Sequence, residues 1–150
     1  MKALVIYMSV HHQNTKKVAE AISKELKAKL VTVNKFKTIK KYDLIGLGSG
    51  IYFGRHHPQL LELIDKLPVS NKKTFTFSTA GLPQLRIINH YSLRKKLKNK
   101  GFQLIGDFTC KGYDTYGWLK RIGGIHKGHP DNEDLRRARV FASHLTNKKQ

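Results

Sequence analysis

Three short stretches carry most of the residues in this chain that have the chemistry to hold a ligand. The first is S-V-H-H-Q-N-T, Ser9 to Thr15. It follows an unbroken apolar run, Ala3 to Met8, and leads into a helical pattern, so it is expected where a buried strand turns into a helix. The first N–H groups of a helix have no partner within it, and the helix dipole favours negative charge there. Short hydroxyl and amide side chains at Ser9, Asn14 and Thr15 therefore suit a bound phosphate. They also suit a plain N-cap, in which Asn14 or Thr15 satisfies the helix end and binds nothing. The second and third stretches are G-S-G-I-Y-F-G, Gly48 to Gly54, and S-T-A-G, Ser78 to Gly81. Their small residues let the backbone approach a ligand closely, and Tyr52 or Phe53 can stack on a flat ring.

Other chemistries fit less well. Eight histidines include the pairs His11-His12 and His56-His57 together with His126 and His129. Adjacent histidines do not easily point into one tetrahedral site, and thiolate ligands are nearly absent, so no metal is expected. Ser49 and Ser78 have no G-x-S-x-G elbow around them, which argues against a serine nucleophile. The single cysteine, Cys110, excludes an internal disulfide and reads as a small buried apolar residue. No side chain is singled out as a catalytic acid or base.

The elements that must position these stretches alternate. One strand precedes Ser9, and Val18, Ile22 and Leu26 then give a helix its apolar face. Lys29 to Val33 reads as a second strand, Asn34 to Lys41 as a lysine-rich surface connection, and Tyr42 to Leu47 as a third strand ending in the Gly48 to Gly54 loop. Pro58 opens a helix with a stripe of Leu60, Leu61, Ile64 and Leu67. Thr74 to Phe77 makes a fourth strand, a basic helix carries Leu93 and Leu97, and Phe102 to Phe108 makes a fifth. Asp131 is placed to cap a last helix lined by Leu135, Ala138, Phe141, Ala142 and Leu145. Five alternating strands imply an α/β fold, a parallel sheet covered on both faces, in one domain spanning residues 1–150. Ligands then belong at the carboxyl ends of the strands, where all three stretches fall, and the set suits a mononucleotide bearing a flat ring.

Charge sets the surroundings. Twenty-nine Lys and Arg against 10 Asp and Glu give a formal +19, with no carboxylate between Asp65 and Asp107. Such a surface attracts polyanions, anionic membrane faces or acidic proteins, with association that weakens as salt rises. Arg94, Lys95, Lys96, Lys98 and Lys100 would serve a nucleic-acid module, but they also form the solvated face of one amphipathic helix and no recognition motif accompanies them. No apolar run approaches the roughly 20 residues of a membrane span and no secretory signal is seen, so a cytoplasmic location is expected.

The sequence resembles the flavodoxin family of FMN proteins: Y-M-S after strand one, N-T-K-K-V-A opening the first helix, G-S-G-I-Y-F-G after strand three and F-S-T-A-G after strand four. The likeness runs through essentially all 150 residues. It implies a flavodoxin-like three-layer fold with strand order 2-1-3-4-5 and an electron-transfer function between redox partners. It also implies FMN as cofactor, its phosphate at Ser9, His11, His12, Gln13, Asn14 and Thr15. The isoalloxazine would lie between Ser49, Gly50, Ile51, Tyr52, Phe53 and Gly54 on one side and Ser78, Thr79, Ala80 and Gly81 on the other. Gln13 stands where that family's loop carries glycine, and the chain is basic where ordinary flavodoxins are acidic, which points to acidic redox partners. A second, narrower likeness joins the long first loop, I-Y-F-G-R-H-H, and the basic aromatic stretch Lys111 to Lys127 to the menaquinone-dependent protoporphyrinogen oxidases. It implies a quinone-linked oxidoreductase on an anionic membrane face.

Overall fold

In a computed structural model the chain is described over residues 1–10, 12–113 and 122–147. Five strands form a parallel sheet: β1 (Ala3–Met8), β2 (Lys29–Thr32), β3 (Leu44–Tyr52), β5 (Lys73–Ala80) and β6 (Gln103–Lys111), in the order β2-β1-β3-β5-β6. A sixth strand, β4 (Arg55–His56), folds back antiparallel on the end of β3. The expected order 2-1-3-4-5 is therefore present, with the fourth and fifth parallel strands carrying the labels β5 and β6. Strand order reverses between β1 and β3, which pair through Ala3↔Leu44 to Met8↔Ser49. That reversal creates the crevice in which open α/β sheets hold ligands.

Side chains alternate between the faces of a strand, and the two cores follow that alternation. Val5 of β1 and Phe75 and Phe77 of β5 pack under α1 (Asn14–Leu26) and α5 (Asn132–Asn147), where Val18, Ala19, Ile22, Ala138 and Ala142 are buried. Leu4, Ile6, Ile45 and Leu47 face the other way. They meet Leu60 and Ile64 of α2 (Pro58–Lys66) and Leu93 and Leu97 of α4 (Tyr91–Asn99), the basic helix expected from the sequence. Between β5 and α4 lie a 3-10 turn, Pro83–Leu85, and the short helix α3 (Arg86–Asn89).

The third strand is longer than the sequence suggested: it does not stop at Leu47 but runs to Tyr52. Pairing explains the extension, since Ser49 is matched by Met8 on one side and Ser78 on the other, and Gly50 still pairs with Thr79. Gly46 and Gly48 consequently lie inside the sheet, opposite Phe75 and Phe77. A Cβ on either would overlap the facing ring, so these glycines are seats for phenylalanine and not part of a ligand loop. Asp131 caps α5 as expected: its carboxylate accepts from Asp134 N at 2.8 Å, and Asp134 Oδ2 accepts from Asp131 N at 2.9 Å, a reciprocal capping box. Cys110 is free and buried, and burial pushes its thiol up to about 12. Among the described residues no helix is long and apolar enough to cross a membrane.

Candidate functional site

At the carboxyl end of the sheet a cleft of ≈ 710 Å³, its open mouth included, is walled by four segments. Ser9, Val10, Asn14 and Thr15 close one end; Gly50, Ile51, Tyr52 and Phe53 form one side; Thr79, Ala80, Gly81, Gly112 and Tyr113 form the other. All 13 are uncharged. Helix α1 begins at this end, and Gln13 at its N-cap position makes no side-chain capping bond, while the first turn holds no acidic residue. Ser9 Oγ accepts only a long contact, 3.4 Å, from Lys16 N. The expected alternative of Asn14 or Thr15 acting as the cap is thus not what these side chains do. Asn14 Nδ2 donates to the Tyr113 carbonyl at 2.9 Å, and the Thr15 and Thr79 hydroxyls share a hydrogen bond of 2.9 Å. Both are braces, the second buried, that hold α1 against β5 and the end of β6, so that these two side chains are not spent on the first N–H groups of the helix.

The backbone leading into α1 is left-handed at two successive residues, His12 (φ 56°) and Gln13 (φ 55°). Non-glycine residues pay a steric cost there. Gln13 adopts this left-handed conformation although it is not glycine, the residue best suited to it. His12 also stacks on Tyr113, ring centroids 4.3 Å apart, which ties the turn to the far wall. The opposite rim is a two-residue hairpin turn between Tyr52 and Arg55, with φ 51° at Phe53 and 76° at Gly54. Positive φ at both central residues matches the twist of a tight hairpin. It carries the Phe53 ring to the protein's edge with 85% of its surface exposed.

Two sequence candidates lie elsewhere. Ser49 is fully buried; its hydroxyl donates to Gly50 O at 2.7 Å and accepts from His57 N at 2.9 Å. Ser78 is equally buried and bonds to His90 Nε2 at 2.7 Å and Thr109 Oγ1 at 2.9 Å. Strand alternation is the reason: each points to the α2/α4 face, while Gly50 and Thr79, one residue on, border the cleft. Around Ser78 a polar knot forms. His90 Nδ1 bonds to Thr76 Oγ1 at 3.0 Å, and the His56 ring lies 4.7 Å from that of His90. His56 Nε2 donates to Phe77 O at 3.0 Å, which leaves Nδ1 buried with no hydrogen-bond partner among the described residues. Burial first, and then the neighbouring His90, hold His56 down to about 3. Burial, then Arg86 and Arg94, hold His90 down to about 4. Ser78, His90 and Asp107 have the residue types of a hydrolytic triad, but Ser78 is sealed in and the carboxylate is 3.8 Å from Nδ1, beyond hydrogen-bond reach.

The remaining polar clusters are accounted for by structure. His129, Asp131 and Asp134 converge within 4.8 Å. Asp134 is occupied by the capping box, His129 Nδ1 at 2.6 Å and Arg137 at 2.7 Å. Its burial alone would raise its pKa; these hydrogen bonds outweigh burial and bring it to about 2. Gln13 and Gly54 sit next to the cleft without lining it. Val10, Gly112 and Tyr113 line it and were missing from the sequence-derived set; the strand-end position of Gly112 and Tyr113 after β6 was the available signal. His11 lies outside the described residues, as do Tyr116, Trp118, Lys120 and Arg121 of the aromatic basic stretch.

A family model described as a flavodoxin domain matches residues 4–128. The chain belongs to the flavodoxin family. It is 50% identical over 147 residues to an uncharacterised protein of Methanocaldococcus jannaschii, which spans 97% of this chain and 98% of that one. In fold it is similar to a flavodoxin from the domain Archaea, with a TM-score of 0.74 at 18% identity over 99% of this chain and 98% of the other. Flavodoxin 1 from Bacillus cereus gives 0.73 at 14% identity over the whole of both chains. The rubredoxin:oxygen oxidoreductase of the anaerobe Desulfovibrio gigas gives 0.71 at 16% identity over 97% of this chain but 35% of that one. Membership in the flavodoxin family implies a flavin cofactor. The lining of the cleft fits one in its chemistry. One end offers the first helix N–H groups to an anion, and its sides are narrow, small-residue walls bordered by Tyr52, Phe53 and Tyr113.

Proposed function

We propose that this protein binds FMN noncovalently in the cleft and passes electrons between redox partners. The observation that carries the reading is the pairing of the α1 N-terminus, which Gln13 does not cap, with the cleft bordered by Ile51 to Phe53 beyond the last β3–β5 pair and by Ala80 and Gly81. The N-terminal N–H groups of α1, with Ser9 beside them, hold the phosphate; a helix end attracts a dianion without any lysine in the lining. Asn14 and Thr15 act one step back, fixing the helix against Tyr113 and Thr79. Gly50 to Phe53 and Thr79 to Gly81 flank the ring and exclude water from its faces. FMN, when bound, supplies the redox chemistry. Because no charged side chain among the described residues lines the cleft, their contribution there is orientation and a low-polarity setting, and the +19 of the chain biases it positively, which favours electron-rich forms of the ligand.

The net charge of +19 supports acidic protein partners. With FMN-loaded protein reduced under anaerobic conditions, an acidic iron–sulfur protein should reoxidise it, at a rate that falls steeply between low and high salt. Reoxidation by a menaquinone analogue in anionic vesicles, with protein acceptors inert, would overturn the carrier reading in favour of a quinone-linked oxidoreductase.

A further inference from the structure

The segment immediately after the cleft wall inverts the usual pattern of burial. Ile87, Ile88 and Tyr91 are 75%, 61% and 61% exposed, and Leu82 and Leu85 are exposed beside them, whereas the polar Asn89 and His90 are 3% and 0% exposed. Spacing makes one surface of them: Leu85 with Ile88, Ile88 with Tyr91 and Ile87 with Tyr91 are three or four residues apart along consecutive helical turns. The inversion is fixed by hydrogen bonds. Asn89 Nδ2 donates to Leu82 O at 3.3 Å and His90 bonds to Thr76 and Ser78, so the aliphatic side chains cannot rotate inward. Among the described residues neither Ile87 nor Ile88 belongs to either core, and contiguous exposed aliphatic surface of this kind marks an interaction site. Leu82 follows Gly81 directly, so the face begins where the cleft ends.

From this inversion we infer that the face formed by Leu82, Leu85, Ile87, Ile88 and Tyr91 docks an acidic protein whose own contact surface has an apolar centre and a carboxylate rim, bringing its redox group beside the cleft. The inference rests on the reading of the cleft as a flavin site and names the surface that partner uses. Charge selects the occupant. A second copy would bring another +19 against this one. A lipid headgroup surface requires a cluster of about four to eight unpaired cations at the apolar patch. Here Arg86 and Arg94 both lie on Asp107, at 3.3 and 3.8 Å, Lys96 turns to Asp65 at 2.7 Å, and Lys100 donates to the Asp65 and Leu67 carbonyls. Lys95, above the Tyr91 ring, remains at the rim. An aliphatic and tyrosine centre with few unpaired cations at its edge among the described residues is the composition of a protein interface, and the overall +19 of the chain makes an acidic protein its partner.

The test uses the full chain and, as probe, a purified acidic low-potential ferredoxin. Calorimetric titration of the protein with oxidised ferredoxin reads docking alone; stopped-flow reduction of the FMN-loaded protein by reduced ferredoxin reads one-electron transfer from cluster to flavin. Reduction by a small viologen radical is the control. The double variant Ile87→Ser, Ile88→Ser should fold as the parent does, lose about tenfold or more in ferredoxin affinity and rate, and keep its viologen rate. Lys95→Glu should weaken docking less, and chiefly at low salt. Three results would overturn the inference: docking unchanged in the double variant, self-association of the parent abolished by it, or binding to anionic vesicles abolished by it. Failure of both ferredoxin and viologen to reduce the protein would instead sink the flavin reading, and the ferredoxin affinity measured without flavin separates the two.

Discussion

The tips of β3 and β5 present two faces built from the same kinds of residue and put to opposite uses. On the α1/α5 side Gly50 and Thr79 border an open cleft closed at one end by Thr15. On the α2/α4 side Ser49 and Ser78 are sealed beneath His56 and His90, with the half-buried Thr109 bonded to Ser78. One residue along a strand separates the two, since Ser49 pairs with Ser78 and Gly50 with Thr79. On the sealed face the Ser49, Ser78 and His90 side chains are hydrogen-bonded and His56 Nδ1 is not, whereas the open face has the start of α1 and left-handed turn residues at its rim. Polar residues at a strand end therefore indicate a binding site only when combined with the side they face and with what else satisfies them.

The largest expected effect breaks the sealed face. In the folded protein His56 and His90 stay neutral to about 3 and about 4, while in the unfolded chain they take up protons near 6.5. The unfolded state thus binds more protons between pH 6.5 and 4, so stability is level above 6.5 and falls as pH drops through that window. The loss is on the order of 1.4 kcal/mol per pH unit for each histidine. Asp134, held at about 2, does not offset this, because its contribution is already complete above its unfolded value of 3.8. Urea midpoints measured from pH 7 to pH 4 check the slope; a flat profile would contradict the burial of both imidazoles. At pH 7, His90→Ala should cost about 3–5 kcal/mol by stranding the Thr76 and Ser78 hydroxyls beside a cavity. Among molecules that remain folded, FMN affinity should change little.

Much of this division was legible in the residues and part was not. Apolar runs, the Leu93–Leu97 spacing, the Asp131 cap and the position of the Ser9 to Thr15 turn all follow from local patterns that tertiary packing did not override. Ser49 and Ser78 did not, because their facing depends on where β3 ends. That end is set by pairing with Ser78 and Thr79 far along the chain. The two-residue strand β4 is too short to carry a period, and the inward Asn89 and His90 reverse the pattern that helix reading relies on.

Smaller effects belong to the open face. Gly54→Val places a β-branched residue at φ 76° in the hairpin turn and should cost about 1–2 kcal/mol in stability, with a larger proportional loss of flavin binding as Phe53 is displaced. Denaturation and flavin titration of one preparation separate the two losses. Smallest is Gln13→Gly, which relieves a left-handed non-glycine residue at φ 55° and should leave stability unchanged or raise it by up to about 1 kcal/mol. A clear destabilisation would mean that the Gln13 side chain, and not its backbone, matters to the turn.

The central claim is that the N-terminal end of α1 holds the phosphate of a flavin whose ring lies in the cleft bordered by Ile51 to Phe53 and by Ala80 and Gly81. Titration of flavin-free protein with FMN and with riboflavin, followed by quenching of flavin fluorescence, tests it most directly. FMN should bind with a Kd below about 1 µM and riboflavin at least about tenfold more weakly, because only FMN brings the anion. Equal affinities, or no quenching by either, would contradict it.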